Sequence, residues 1–111
     1  MDVETRMIEL IVKSGETRSC AMEALRAARR GEWDHVDELL KMAAVALNRA
    51  QLIQTGFIGY QSKEKTNLEL IVVHAQDHLM NAMLCRELAE EIIELRKDVS
   101  GVNCSAPFFF A

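Results

Sequence analysis

Proline is almost missing from this chain: the only one, Pro107, stands close to the C-terminus, beyond every periodic segment. Proline removes a backbone donor and clashes with the preceding turn, so its absence leaves a long stretch free to stay helical. Over that stretch apolar residues recur at intervals of three and four, the period of an α-helix with one buried stripe. Nothing alternates with a period of two, and no repeat of fixed length is visible, so an all-α fold is expected.

Three helices follow from the pattern. The first is expected over residues 2–30, with Val3, Met7, Leu10, Ser14, Ala21, Leu25 and Ala28 on one stripe. Ser14-Gly15 is a weak point where a kink is expected, and Gly31 suits the left-handed position that ends a helix. In the second, Val36, Leu40, Ala43, Leu47, Ala50, Gln54 and Phe57 form a seam with one polar intruder, Gln54. It is expected to break near "GFIGYQSKEK", where Gly56 and Gly59 lead into a charged, mobile connector. "TNLE", residues 66–69, fits a capping box that opens a third helix lasting to about Val99. Short connections favour an antiparallel three-helix bundle as one domain over residues 1–100. Residues 101–111, ending "PFFFA", are expected to be a loose tail.

The third helix carries more apolar surface than such a bundle needs. At roughly 100° per residue, Leu68, Ile71, Val72, Ala75, Leu79, Ala82 and Met83 share one broad face. Leu70, Val73, Met80 and Leu84 make a second face, roughly opposite, and Asp77 sits within it. His74, His78 and Asn81 lie on the strip between the two faces, and Glu69 and Gln76 on the other strip. A helix in a monomeric bundle needs one apolar face, so the second implies an oligomer joined through the N-terminal half of this helix. From Arg86 onward charges return, while Leu88, Ile92 and Leu95 keep a seam.

Composition narrows the classes of function. The 111 residues carry 13 basic and 17 acidic side chains, a net charge of −4, which offers no phosphate-tracking patch for nucleic acid. No apolar run reaches the roughly 18 residues needed to cross a bilayer, and the N-terminus opens with acids, so a cytoplasmic protein without membrane insertion is expected. Cys20, Cys85 and Cys104 form no CxxC pair; the first two read as small core residues in a reducing compartment.

The stretch "VVHAQDHLMNAML" then places two imidazoles and a carboxylate in apolar surroundings, which is costly unless they are paired, liganded or used in chemistry. His74 and His78 are four apart and have the spacing to share a zinc ion. Ala75 stands where the metalloprotease pattern H-E-x-x-H has its glutamate, and no third ligand is placed by any motif. A neutral imidazole is also a nucleophile near neutral pH and can carry a phosphoryl group on a ring nitrogen without a metal. His78, Asn81 and Gln54 are candidate donors to the phosphoryl oxygens. Asp77, repeated around a symmetry axis, would bring like charges together, and such a cluster attracts a hard cation such as Mg²⁺. The plainer alternative is a helical adaptor or regulatory protein whose histidines only line an interface.

"LELIVVHAQDHLMNAMLCRELAEEIIEL" resembles the third helix of the lactose/cellobiose-type IIA proteins of the bacterial phosphoenolpyruvate-dependent sugar phosphotransferase system. "ALNRAQLIQTGFI" resembles the end of their second helix, and "EALRAARRGEWDHVDELL" their first interhelical turn. The similarity extends over about residues 4–98. It implies a homotrimer of three-helix subunits that takes phosphate from the phosphocarrier HPr and passes it to a cysteine of a IIB protein or domain, for uptake of a β-linked disaccharide. By the same resemblance His74 is phosphorylated on Nε2, Gln76 and His78 lie close to it, and Asp77 of three subunits shares one Mg²⁺ per trimer. The family often has histidine where this chain has Gln51. The wording around His74 is nearer the chitobiose and cellobiose members than the lactose members.

Overall fold

A computed structural model describes residues 2–64 and 70–101 of the chain, and the side chains of residues 2–59 and 70–101. It contains three helices, α1 (Val3–Arg29), α2 (Trp33–Glu64) and α3 (Leu70–Ser100), and no strand among the described residues. Asp2 caps α1 by accepting hydrogen bonds from the Thr5 backbone N–H and hydroxyl, which hold its carboxyl below the ordinary aspartate range. At the other end Gly31 adopts φ +76°; its N–H donates to Ala28 O and that of Glu32 to Ala27 O. This is the paired-bond stop that glycine makes cheap, placed where the sequence predicts it.

Two corrections concern α1 and α2. The first helix passes Ser14-Gly15 without a break, and Ser14 is buried on its inner face. The second does not break at the glycines: it continues through Gly56 and Gly59 to Glu64. Each glycine costs a helix interior up to about 1 kcal/mol. Phe57, 2% exposed between them, recovers more than that by full burial of an aromatic side chain. The proposed capping box and the tail beyond Gly101 lie outside the described residues.

The core falls into two clusters along α1. Met7 and Leu10 pack with Leu47, Ala50, Ile53 and Phe57 of α2 and with Val72, Ala75 and Leu79 of α3. Ala24, Ala27 and Ala28 pack with Val36 and Leu39 of α2 and Ile93 of α3. The start of α1 therefore meets the end of α2 and the start of α3, the up-down-up order of an antiparallel bundle. Alanines make up half of the cluster near Gly31, while Phe57, Met7 and leucines supply the bulk of the other. Polar ties fix the register: Arg49 of α2 bonds Glu9 of α1, and Arg96 of α3 reaches the Arg29 carbonyl at the end of α1. Cys20 and Cys85 are half-buried rather than core residues.

Along α3 the described part of the expected inner face is confirmed, Leu68 lying outside the described residues: Val72, Ala75, Leu79 and Ala82 are buried, with Ile71 and Met83 packed beside them. The second apolar face is solvent-exposed in the single chain, Leu70 at 83% and Met80 at 67%. It also continues well past the N-terminal half, through Leu84, Leu88, Ile92, Leu95 and Val99. The described helices include none long and apolar enough to cross a membrane.

Candidate functional site

Position 74 lies one turn into the described part of α3, and its side chain is exposed; His78 follows one turn later and is half-buried. Residues four apart on a helix stand one above the other, so their Cβ atoms are neighbours by construction. The rings meet edge to face, centroids 4.6 Å apart at 80°. Their Nε2 atoms lie 3.2 Å apart, within hydrogen-bonding distance. One nitrogen donates and the other accepts, so each ring restrains the other. If His74 Nε2 accepts, its own proton sits on Nδ1 and its Nε2 lone pair is turned toward His78.

Asn81 is exposed and shares this strip of α3, as the wheel requires. Asp77 is exposed within the outer apolar face, next to Val73 and Met80. The remaining expected residues lie elsewhere. Gln54 and Gln76 are half-buried and bond each other through both amide groups, each donating N–H to the other's carbonyl oxygen, across α2 and α3. Gln76 is two residues from His74, which on an ideal helix turns it about 200° away. Within one chain, therefore, the two histidines form one pair and the two glutamines another, on opposite flanks of the outer face. Gln51 is exposed on α2, and its backbone carbonyl accepts from the Thr55 hydroxyl.

No group of three or more histidine, cysteine or acidic side chains converges among the described residues. The described part of one subunit therefore assembles no centre of three or more such ligands. Asp77 offers a single carboxylate, a hard oxygen donor, so a cation held there needs carboxylates from further copies. Cys20 is a poor competitor as nucleophile: burial, and then Glu16 nearby, push its thiol above the ordinary cysteine range. The arrangement leaves the His74 imidazole accessible and restrained by the ring of His78.

The sequence singles out each of these residues as a candidate, but the grouping shows only in the structure. Gln54 stood out as a polar residue in a seam, and Gln76 as a polar residue on a narrow strip. Their pairing needed the register between α2 and α3, which no spacing within one helix supplies.

The matching family model is described as the lactose/cellobiose-specific IIA subunit of the phosphotransferase system, and it covers residues 5–97. The N,N'-diacetylchitobiose-specific EIIA component of Escherichia coli K12 is 41% identical over 97 residues, 86% of this chain and 84% of that protein. The lichenan-specific IIA component of Bacillus subtilis strain 168 is also 41% identical, over 100 residues, 89% of this chain and 91% of its own length. Among solved structures, the IIA(chitobiose)–HPr complex of Escherichia coli contains a chain that superposes with a TM-score of 0.80 at 38% identity, covering 90% of this chain and 98% of that one.

Proposed function

The chain belongs to the lactose/cellobiose-specific IIA family of the sugar phosphotransferase system, and from that membership we propose that His74 Nε2 is the atom that carries the phosphoryl group. As a IIA component the protein is a phosphotransferase component. The proposed route begins at phospho-HPr: the lone pair of His74 Nε2 attacks phosphorus, and the bond to the HPr nitrogen breaks. A cysteine thiolate of a IIB partner then attacks the same phosphorus and releases His74 with its lone pair restored. The solved complex of the chitobiose relative with HPr supports HPr as the donor. Work in the cytoplasm follows from that partnership.

The observation that carries this reading is the His74–His78 pair. Phosphoryl transfer has a loose transition state, so catalysis comes from positioning and electrostatics rather than from covalent help. His78 supplies both. With its Nε2–H turned to His74 Nε2 it would hold the acceptor ring in the Nδ1-protonated tautomer, and as phosphorus approaches that N–H would swing off the lone pair to donate to a phosphoryl oxygen. Asn81, on the same strip, is a second donor within the solvent-facing part of the site.

Self-assembly accounts for the outer face of α3 and for the two glutamines together. Covering a half-exposed leucine or isoleucine stabilises by about 1 kcal/mol, and this face repeats such residues along the whole helix. We infer a homotrimer with three parallel α3 helices around the axis. His74 lies roughly 80° to one side of the face centre and Gln76 roughly 80° to the other. In a parallel threefold arrangement one flank meets the opposite flank of the next subunit. Gln76, with Gln54 behind it, would thus approach the neighbour's His74, and the phosphoryl site would be shared between subunits. Asp77 would converge threefold, and a Mg²⁺-class ion there would neutralise the three carboxylates and hold the trimer together.

Chitobiose and lichenan relatives are equally identical to this chain, so the match singles out no one sugar; a β-linked disaccharide or oligosaccharide is the class proposed. The test is incubation with phosphoenolpyruvate, enzyme I and HPr. A carrier gains one acid-labile, base-stable phosphate per subunit, whereas a helical adaptor gains none.

A further inference from the structure

A single phosphoryl acceptor needs one free ring nitrogen, yet here two imidazoles on successive turns aim the same atom, Nε2, at one another. We propose that His74 and His78 also form a chelating site for a borderline divalent transition ion of the Zn²⁺ class, and that this ion and the phosphoryl group exclude each other at His74 Nε2.

The geometry is close to what such an ion requires. Zinc–nitrogen bonds of about 2.0–2.1 Å at a tetrahedral angle separate two ligand nitrogens by roughly 3.3 Å. The Nε2 atoms are already 3.2 Å apart, so small ring rotations suffice to turn both lone pairs toward a common point, with no backbone movement. Both ligands stand on one helix, so no loop has to be ordered when the ion binds. Exposure of His74 leaves the other coordination positions open to water.

Donor chemistry separates this site from Asp77. Imidazole nitrogen suits zinc, copper and nickel, whereas carboxylate and water oxygens suit magnesium and calcium. Since no third histidine, cysteine or acid joins the pair among the described residues, the ion is held by two protein ligands and exchanges readily. That makes it a reversible block rather than a resident cofactor. The exclusion follows from valence: a nitrogen whose lone pair is bonded to phosphorus has none left for a metal. Metal binding itself stands independently of the carrier reading; only the exclusion rests on it.

The experiment is a calorimetric titration of Zn²⁺ into the full chain, unphosphorylated and then fully phosphorylated, with folding of each variant checked by circular dichroism. Wild type and Asp77→Leu should bind one ion per subunit, and His78→Gln should bind it more than about tenfold more weakly. Equal affinity in wild type and His78→Gln would overturn the site, because thiols or His35 would then be the ligands. Phosphorylated wild type should lose the same binding event, and undiminished affinity there would overturn the exclusion. Phosphate uptake without added zinc is measured separately, so failure of the carrier reading and failure of the metal site give different results.

Discussion

Gln54 and Gln76 bond each other across α2 and α3 on one flank of the outer face of α3, while His74 and His78 pair on the other flank. A chain that must act alone gains nothing from that separation. In the proposed trimer the two flanks would meet. The prediction is complementation: His74→Gln subunits and Gln76→Leu subunits, each impaired alone, should regain uptake when co-assembled, in trimers where an intact His74 faces an intact Gln76. Phosphoryl uptake by refolded mixtures measures it, and uptake no better than the mean of the two parents would place Gln76 outside the site.

The assembly itself is tested at Val73, which is 41% exposed on the outer face. Val73→Glu would put three carboxylates into the interface, and burying unpaired charge costs several kcal/mol per site. Sedimentation should show a trimer for wild type and monomers for the variant. A wild-type monomer at micromolar concentration would contradict the proposal.

Asp77→Leu separates the proposed metal site from the fold. An apolar residue of similar size can replace a buried charge neutrally or better. The variant should remain trimeric, lose Mg²⁺ binding and still accept phosphate on His74. Undiminished Mg²⁺ binding, read by metal analysis after dialysis, would place the ion elsewhere.

Gly56 tests the continuity of α2. It lies inside the helix, and a Cβ added there meets nothing within 4 Å. Gly56→Ala should therefore stabilise the protein by about 0.5–1 kcal/mol, read as a rise in midpoint temperature. Destabilisation would mean that α2 ends earlier, as the glycines alone suggest.

The two kinds of glycine in this chain mark where the sequence is legible and where it is not. Helix starts and stops were clear when carried by local chemistry, as at Gly31, whose positive φ only glycine adopts cheaply. Gly56 and Gly59 looked the same on paper, but burial of Phe57 outweighs their propensity, and burial is a tertiary quantity. The seam of Leu88, Ile92 and Leu95 is legible in the sequence, but that it continues the outer face of Leu70 to Leu84, with Val99 added, shows only in the exposure of these residues. The spacing of His74 and His78 fixed their Cβ positions, whereas the meeting of two Nε2 atoms depends on side-chain rotation, which spacing does not encode.

The supporting role of His78 predicts a graded loss. His78→Ala removes the donor and the ring restraint but leaves the acceptor, so uptake from phospho-HPr should slow by roughly 10²-fold, the low end of what positioned proton donors contribute, without disappearing. An unchanged rate would make the pair incidental to transfer.

The central claim is that phosphorus bonds to one atom of one residue, and mapping that bond tests it most directly. Protein labelled from phosphoenolpyruvate through enzyme I and HPr should carry a single phosphohistidine at His74, with ¹⁵N–³¹P coupling at Nε2, and His74→Gln should take up none while keeping its helical circular dichroism. Phosphate on His78 or His35, coupling at Nδ1, or full labelling of His74→Gln would contradict it.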